Sequence, residues 1–305
     1  MAGRPWGNFV ALASVVAGCS TAPLRASDAG ASNPDAAVAT DGGPNQADDA
    51  GVTDAAPGDA SLDDAEASSA AQDADFDAAP SHWCDTQLHA FCDDFDEDPL
   101  TQGWDSLAAQ SGEVTLDGLF YTSPGRALLS TVTPLTAGAT GTARLGKRTI
   151  ELSNDIRLAY DLRPDAIDPG AGDLAVSTIQ LFASSGAIVE SVHVMVSSSG
   201  ASIEDIGVDG DGGAYVSSYP VAASSLSGTW THVSLELELP REAGLGAGTV
   251  TVSLGTSVVL DHAPLSPSSQ PALPVFFLGL VSAGGSSSAP SSVRFDDVTF
   301  DAIQR

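Results

Sequence analysis

The sequence predicts an all-β fold, an antiparallel two-sheet β-sandwich that follows a long segment without order. Three observations carry this. Short alternating or apolar runs recur after Pro80, separated by clusters of Gly, Ser, Pro and Asp, which is the pattern of many short strands joined by tight turns. No amphipathic helix of ten or more residues is evident. One run, Thr231 to Leu239, alternates cleanly: Val233, Leu235, Leu237 and Leu239 fall on one face, His232, Ser234, Glu236 and Glu238 on the other. Side chains of a strand alternate between faces, so this strand has one core side and one wet side, as in a sandwich.

The chain has 305 residues and divides in three. Residues 1–18 read as a secretory leader: Arg4 near the start, an apolar run from Phe9 to Ala17, and small residues before Cys19. The apolar run is too short to span a bilayer. Val16-Ala17-Gly18-Cys19 resembles the bacterial lipobox, which implies cleavage before Cys19 and a lipid on its thiol. Ser20 is not the retention residue Asp, which implies an outer-membrane lipoprotein of the cell envelope. Several acyl chains on one residue anchor stably.

Residues 19–80 are rich in Ala, Asp, Gly, Ser and Pro, with Phe76 the single aromatic residue. Such a stretch cannot offset the entropy of ordering, so an acidic, disordered linker is expected. Residues 81–305 are the expected folded domain.

The net charge is −29, with only 11 Lys and Arg. That excludes nucleic acid as a partner, since phosphates would be repelled. It leaves divalent cations and neutral sugars as partners. With Cys19 lipidated, Cys84 and Cys92 remain. In an oxidising compartment they are expected to form one disulfide closing a short loop.

The strands expected in order are Val114–Tyr121, Arg126–Val132, Ala143–Ile150, Ile156–Arg163, Ala175–Ala183 and Ile188–Ser197. They continue with Trp230–Leu239, Thr249–Leu254, Val258–Asp261, Val275–Val281 and Val293–Phe300. Asp209-Gly210-Asp211-Gly212-Gly213 reads as a hairpin turn.

Phe91-Cys92-Asp93-Asp94-Phe95 followed by Gly103-Trp104, then Gly228-Thr229-Trp230-Thr231-His232-Val233, then Phe295-Asp296-Asp297-Val298-Thr299-Phe300 resemble, in that order, the opening, Trp-x-His-Val and closing strands of concanavalin A-like (laminin G-like) jelly rolls. The resemblance spans Cys84 to Asp301. It implies a jelly roll whose first and last strands pair, and a ligand groove on the concave face. It also implies a structural calcium near the junction, where Asp93, Asp94, Asp296 and Asp297 would bring hard oxygen donors together.

Some jelly rolls hydrolyse glycans with two carboxylates on one strand. Glu190, Glu204 and the pair Glu236 and Glu238 all sit in sequences that depart from the family-16 glycosidase motif. No nucleophile elbow, phosphate loop or His-Glu-x-x-His motif is present, and His193 and His232 read as single packed or surface residues. The expected function is therefore a non-catalytic, lipid-anchored, lectin-like binding domain, not an enzyme. Carbohydrate is the ligand implied by the fold, with Tyr215 and Tyr219 as stacking candidates. The alternatives are a degenerate glycoside hydrolase and a structural or protein-binding envelope protein.

Overall fold

The computed structural model describes residues 82–208, 213–222, 224–242, 246–267 and 269–305. The leader, Cys19 and the linker lie outside them, as do residues 209–212 of the expected hairpin turn. Among the described residues no helix is long and apolar enough to cross a membrane.

The domain is a β-sandwich of two antiparallel sheets, as the alternation predicts. The strands are β1 (Phe91–Asp93), β2 (Ser106–Gln110), β3 (Gly112–Asp117), β4 (Ala127–Val132), β5 (Thr140–Arg148), β6 (Asp155–Ala166), β7 (Leu174–Phe182), β8 (Ile188–Val196), β9 (Ala201–Val208), β10 (Ala214–Ala222), β11 (Thr231–Glu238), β12 (Thr249–Leu254), β13 (Ser257–Pro264), β14 (Leu273–Ala283) and β15 (Ser291–Ile303). One sheet runs β13-β12-β11-β6-β15-β4-β3, with β1 added beside β15. The other runs β10-β9-β8-β7-β14-β5-β2.

The strand with the clearest alternation, β11, places Val233, Leu235 and Leu237 in the core. Opposite it, β8 buries Val192 and Val194, and β14 buries Phe276 and Leu278. Two aromatic groups fill the space between the sheets. Phe276 touches Phe91, Trp104 and Phe300, with ring centroids at 5.7, 5.3 and 4.5 Å. Farther along, Tyr160 leans on Phe295 at 5.9 Å, and its hydroxyl is satisfied by Ser177 Oγ at 2.7 Å. Edge-to-face and tilted contacts of this kind add to the area they bury. A buried phenol with a partner avoids the cost of an unpaired polar group.

The first and last strands pair, Phe91 opposite Phe300 and Asp93 opposite Val298. Next to this pairing the register of β15 shifts between Asp296 and Thr299, and Asp297 has φ 51°. The bulge marks where β4 ends as a neighbour of β15 and β1 begins. Cys84 and Cys92 form a disulfide with Cα atoms 5.7 Å apart. By loop-closure entropy it contributes about 2–3 kcal/mol.

Three strands escaped the sequence reading. β9 and β10 pair with Ala214 opposite Val208, so they flank the turn-like Asp-Gly run. β2 is an edge strand whose five residues are all exposed, so it shows no apolar alternation to read.

Candidate active site

The outer face of the seven-stranded sheet concentrates polar chemistry. Ala143 and Leu145 of β5, Ile179 of β7, Val192 and Val194 of β8 and Ile203 of β9 all point into the core. Their alternating neighbours Arg144, Thr178, His193 and Glu204 therefore point outward. Cross-strand register aligns Phe277, Thr178, His193 and Glu204 in a row, and Arg144 sits two residues along β5 from Gly146, the residue opposite Phe277. Arg144 lies opposite Gly279, Phe277 opposite Thr178, Thr178 opposite His193, and His193 opposite Glu204.

Arg144 is the unusual member. Its guanidinium lies over the Phe277 ring, 4.1 Å from the centroid. Its Nε is buried without a hydrogen-bond partner, and no carboxylate among the described residues pairs with it. Burial lowers its pKa from the ordinary value. Elsewhere in the domain Arg126, Arg157, Arg163 and Arg294 each hold a carboxylate. A cation taken out of water without a partner is costly, and such a group in a surface site marks a place for an anion.

Gly279 fits this arrangement. Its φ is 129°, and a Cβ there would fall 2.2 Å from the Ala143 carbonyl and 2.6 Å from Arg144 Cα. The strand beside Arg144 thus stays bare, and the arginine can lie across it toward β7 and β8.

His193 is held from below. Its Nδ1 and Thr178 Oγ1 are hydrogen-bonded at 3.0 Å. Burial, and then the nearby Arg144 charge, push its pKa down to about 4, so the imidazole is neutral above that pH. Glu204 is half-buried, and its pKa is raised by burial and by Asp173. Two residues further along the same faces of β8 and β9, Met195 and Ser202 line a depression of about 260 Å3 with Asp173, Ser197 and Ala222.

The residues singled out in the sequence lie elsewhere. Tyr215 and Tyr219 occupy β10 positions on the side of Asp205 and Val221, and the Tyr219 hydroxyl donates to the Pro264 carbonyl at 2.7 Å. Glu236 forms an ion pair with Arg157 at 2.9 Å on the other sheet. Glu190 is buried, accepting from Ser266 N–H and Ser269 Oγ. His232 is paired with Asp161 at 2.7 Å, which raises its pKa, and it too lies on the other sheet.

All four expected calcium ligands are engaged with the protein, Asp94 accepting from Cys84 N–H at 3.3 Å and Asp297 from Thr122 Oγ1 at 3.1 Å. Asp93 accepts from Phe95 N–H at 2.7 Å and from the Trp104 indole N–H. Asp296 accepts from Thr122 N–H at 2.7 Å, Thr122 Oγ1 at 3.0 Å and Ser123 N–H at 3.2 Å. Burial raises both to about 7. Asp94 is fully buried and belongs to two groups whose ligand atoms lie within 4.8 Å of one another: Asp93, Asp94 and Glu97, and His82, Asp94 and Asp96. Asp297 Oδ1 is buried without a hydrogen-bond partner, and the Asp94 charge contributes to its raised pKa. The group of Asp93, Asp94 and Glu97 offers only oxygen donors, which fits a hard cation.

No family model matches the sequence, and no curated protein matches it. Solved structures do share the fold. An endo-β-1,4-glucuronan lyase from the fungus Trichoderma reesei aligns with a TM-score of 0.56 at 12% identity, over 71% of this chain and 96% of that one. An alginate lyase aligns at 0.49 and 15%, over 72% and 95%. A cellulose-induced protein aligns at 0.49 and 15%, over 70% and 97%. At these identities the likeness establishes the jelly-roll sandwich. The sequence had suggested a non-catalytic lectin-like domain and no enzyme. That expectation is corrected by the endo-β-1,4-glucuronan lyase, a polysaccharide-cleaving protein that shares the sandwich at a TM-score of 0.56. The physical reason it failed is that the polar row is assembled from β5, β7, β8 and β9 and appears in no single run of sequence.

Proposed function

We propose that the domain is a polysaccharide lyase acting on a uronate-containing glycan along the outer face of the seven-stranded sheet. The observation that carries this is the Arg144 guanidinium, half out of solvent and without a carboxylate partner, on the same face as a neutral histidine. The glucuronan lyase supports the reading as a protein of the same fold that cleaves an acidic polymer.

β-Elimination has two demands that this row meets. The proton on C5 of a uronate is acidic only when the adjacent carboxylate is neutralised, and an arginine does this with two parallel hydrogen bonds. A base must then take that proton. With its own proton on Nδ1 donated to Thr178 Oγ1, the His193 imidazole keeps Nε2 free as acceptor. The C5–H electrons form the C4–C5 double bond, and the C4–O4 bond breaks. The negative charge of the domain steers an acidic polymer toward a face that carries an unpaired cation.

Incubation of the purified domain with glucuronan and with alginate, read by ultraviolet absorbance of unsaturated ends, is expected to give product with at least one polymer. Replacing His193 with Ala or Arg144 with Ala is expected to lower kcat/KM by on the order of 10²–10⁴. The acidic limb of kcat/KM is expected near pH 4, where the depressed histidine gains its proton and ceases to be a base. Absence of unsaturated product from both polymers, or variants as active as the parent, argues against this assignment.

Calcium is proposed as a structural ion at the end of β1, with Asp93, Asp94 and Glu97 as candidate donors. A ligand bound only by the folded state stabilises it by mass action. Thermal unfolding is therefore expected to shift upward with added calcium and downward with a chelator. Asp94→Asn is expected to erase that difference, and an equal shift in this variant would remove the site.

The anchor belongs to the same reading. Lipidated Cys19 would tether the domain at the outer membrane, with residues 19–80 as spacer and an envelope glycan within reach. Radiolabelled palmitate fed to expressing cells is expected to label the chain and not a Cys19→Ser variant. Equal labelling of both would rule out this thiol as the attachment point.

A further inference from the structure

An elimination needs a second proton transfer, because the departing O4 leaves as an alkoxide unless an acid reaches it. Arg144, Thr178 and His193 do not supply one: the first holds the carboxylate, the second orients the imidazole, and the third is the base. Tyrosine is the common alternative, but Tyr215 and Tyr219 are on the other face of β10. Lys147, flanking Arg144 on β5, is turned to the Gly103 carbonyl at 2.6 Å.

We infer that Glu204 is the proton donor to the leaving oxygen, an assignment that rests on the lyase reading above. Three placements support it. Glu204 is the direct cross-strand neighbour of His193 on the same outward face, and such pairs carry their Cβ atoms about 5 Å apart. That spacing lets a base address C5 and an acid address O4 of one sugar without touching each other. Glu204 makes no hydrogen bond or ion pair with any described residue. Its carboxyl is therefore free to meet a substrate. Beside it, the depression lined by Asp173, Met195 and Ser202 offers room for the sugar that departs with O4. Burial and the Asp173 charge help the group keep its proton, which is what a general acid requires.

The step balances. The C5 proton moves to His193 Nε2, its electron pair becomes the C4–C5 double bond, the C4–O4 bond breaks, and O4 takes the Glu204 proton. Imidazolium and carboxylate then return to their starting forms by exchange with solvent. No oxidant or cofactor is consumed.

The test compares two substrates. Glucuronan or alginate leaves through a sugar hydroxyl and needs the acid. A synthetic 4-O-aryl glucuronate leaves through a phenol and does not. Glu204→Gln is expected to lower kcat on the polymer by on the order of 10², with KM changed less than about twofold. The same variant is expected to cleave the aryl substrate at the parent rate. The fall of parent activity at high pH, where the donor loses its proton, is expected to vanish in Glu204→Gln. Glu204→Asp, which restores a carboxyl at shorter reach, is expected to be intermediate. Polymer turnover by Glu204→Gln within about twofold of the parent would overturn the assignment. So would equal loss on both substrates, which points to a structural role. A parent protein that cleaves neither substrate removes the lyase reading itself, and this inference with it. An active parent with an indifferent Glu204→Gln removes the inference alone.

Discussion

The account rests on one cation that the chain leaves without an anion. In a protein of net charge −29, an arginine need not look far for a carboxylate, and most of the others found one. Arg157 contacts both Asp155 and Glu236, and Arg294 contacts Asp117 and Asp165. Arg144 is laid instead over an aromatic ring, with Gly279 keeping the neighbouring strand bare. A ring face holds a guanidinium in place without neutralising it. The charge that the fold could have cancelled is kept and aimed outward.

The rest of the sandwich serves that placement. Core residues of β5, β7, β8, β9 and β14 fix the register that lines up Thr178, His193 and Glu204 and sets Arg144 two residues off that line, over Phe277. A slip of one residue in any of these strands would turn its member of the row into the core. A second group of carboxylates, several of them buried, gathers at the junction of β1 and β15, on the opposite sheet. The two faces therefore divide the chemistry. One gathers hard oxygen donors, the other presents a cation and a neutral base.

Much of the fold was legible in the sequence because strand periodicity is local. The Val233, Leu235, Leu237 pattern fixes which face of β11 is buried, and Phe91 to Phe95 with Phe295 to Phe300 announce strands that pair across the whole domain. The disulfide followed from counting cysteines. The site was not legible, for a reason equally physical. Arg144 and His193 are 49 positions apart in the chain, and what joins them is the order β5-β14-β7-β8, which no local pattern states. A search for paired carboxylates along one strand led to Glu236 and Glu238, and Glu236 is already bound to Arg157. Glu204 stands in a run that departs from the family-16 glycosidase motif, and its neighbour in the row, His193, lies on another strand. Nothing in the sequence distinguishes an arginine that is paired from one that is not.

The most direct test of the central claim is binding at Arg144, separated from turnover. In a His193→Ala background, calorimetric titration with short glucuronate oligomers and with neutral cello-oligomers would measure what the face recognises. The account predicts binding of the acidic oligomer, weakening with salt, and a further loss of about 10- to 100-fold when Arg144 becomes Gln. Equal affinity for acidic and neutral oligomers, or an Arg144→Gln variant that binds the acidic one as well as before, would contradict it.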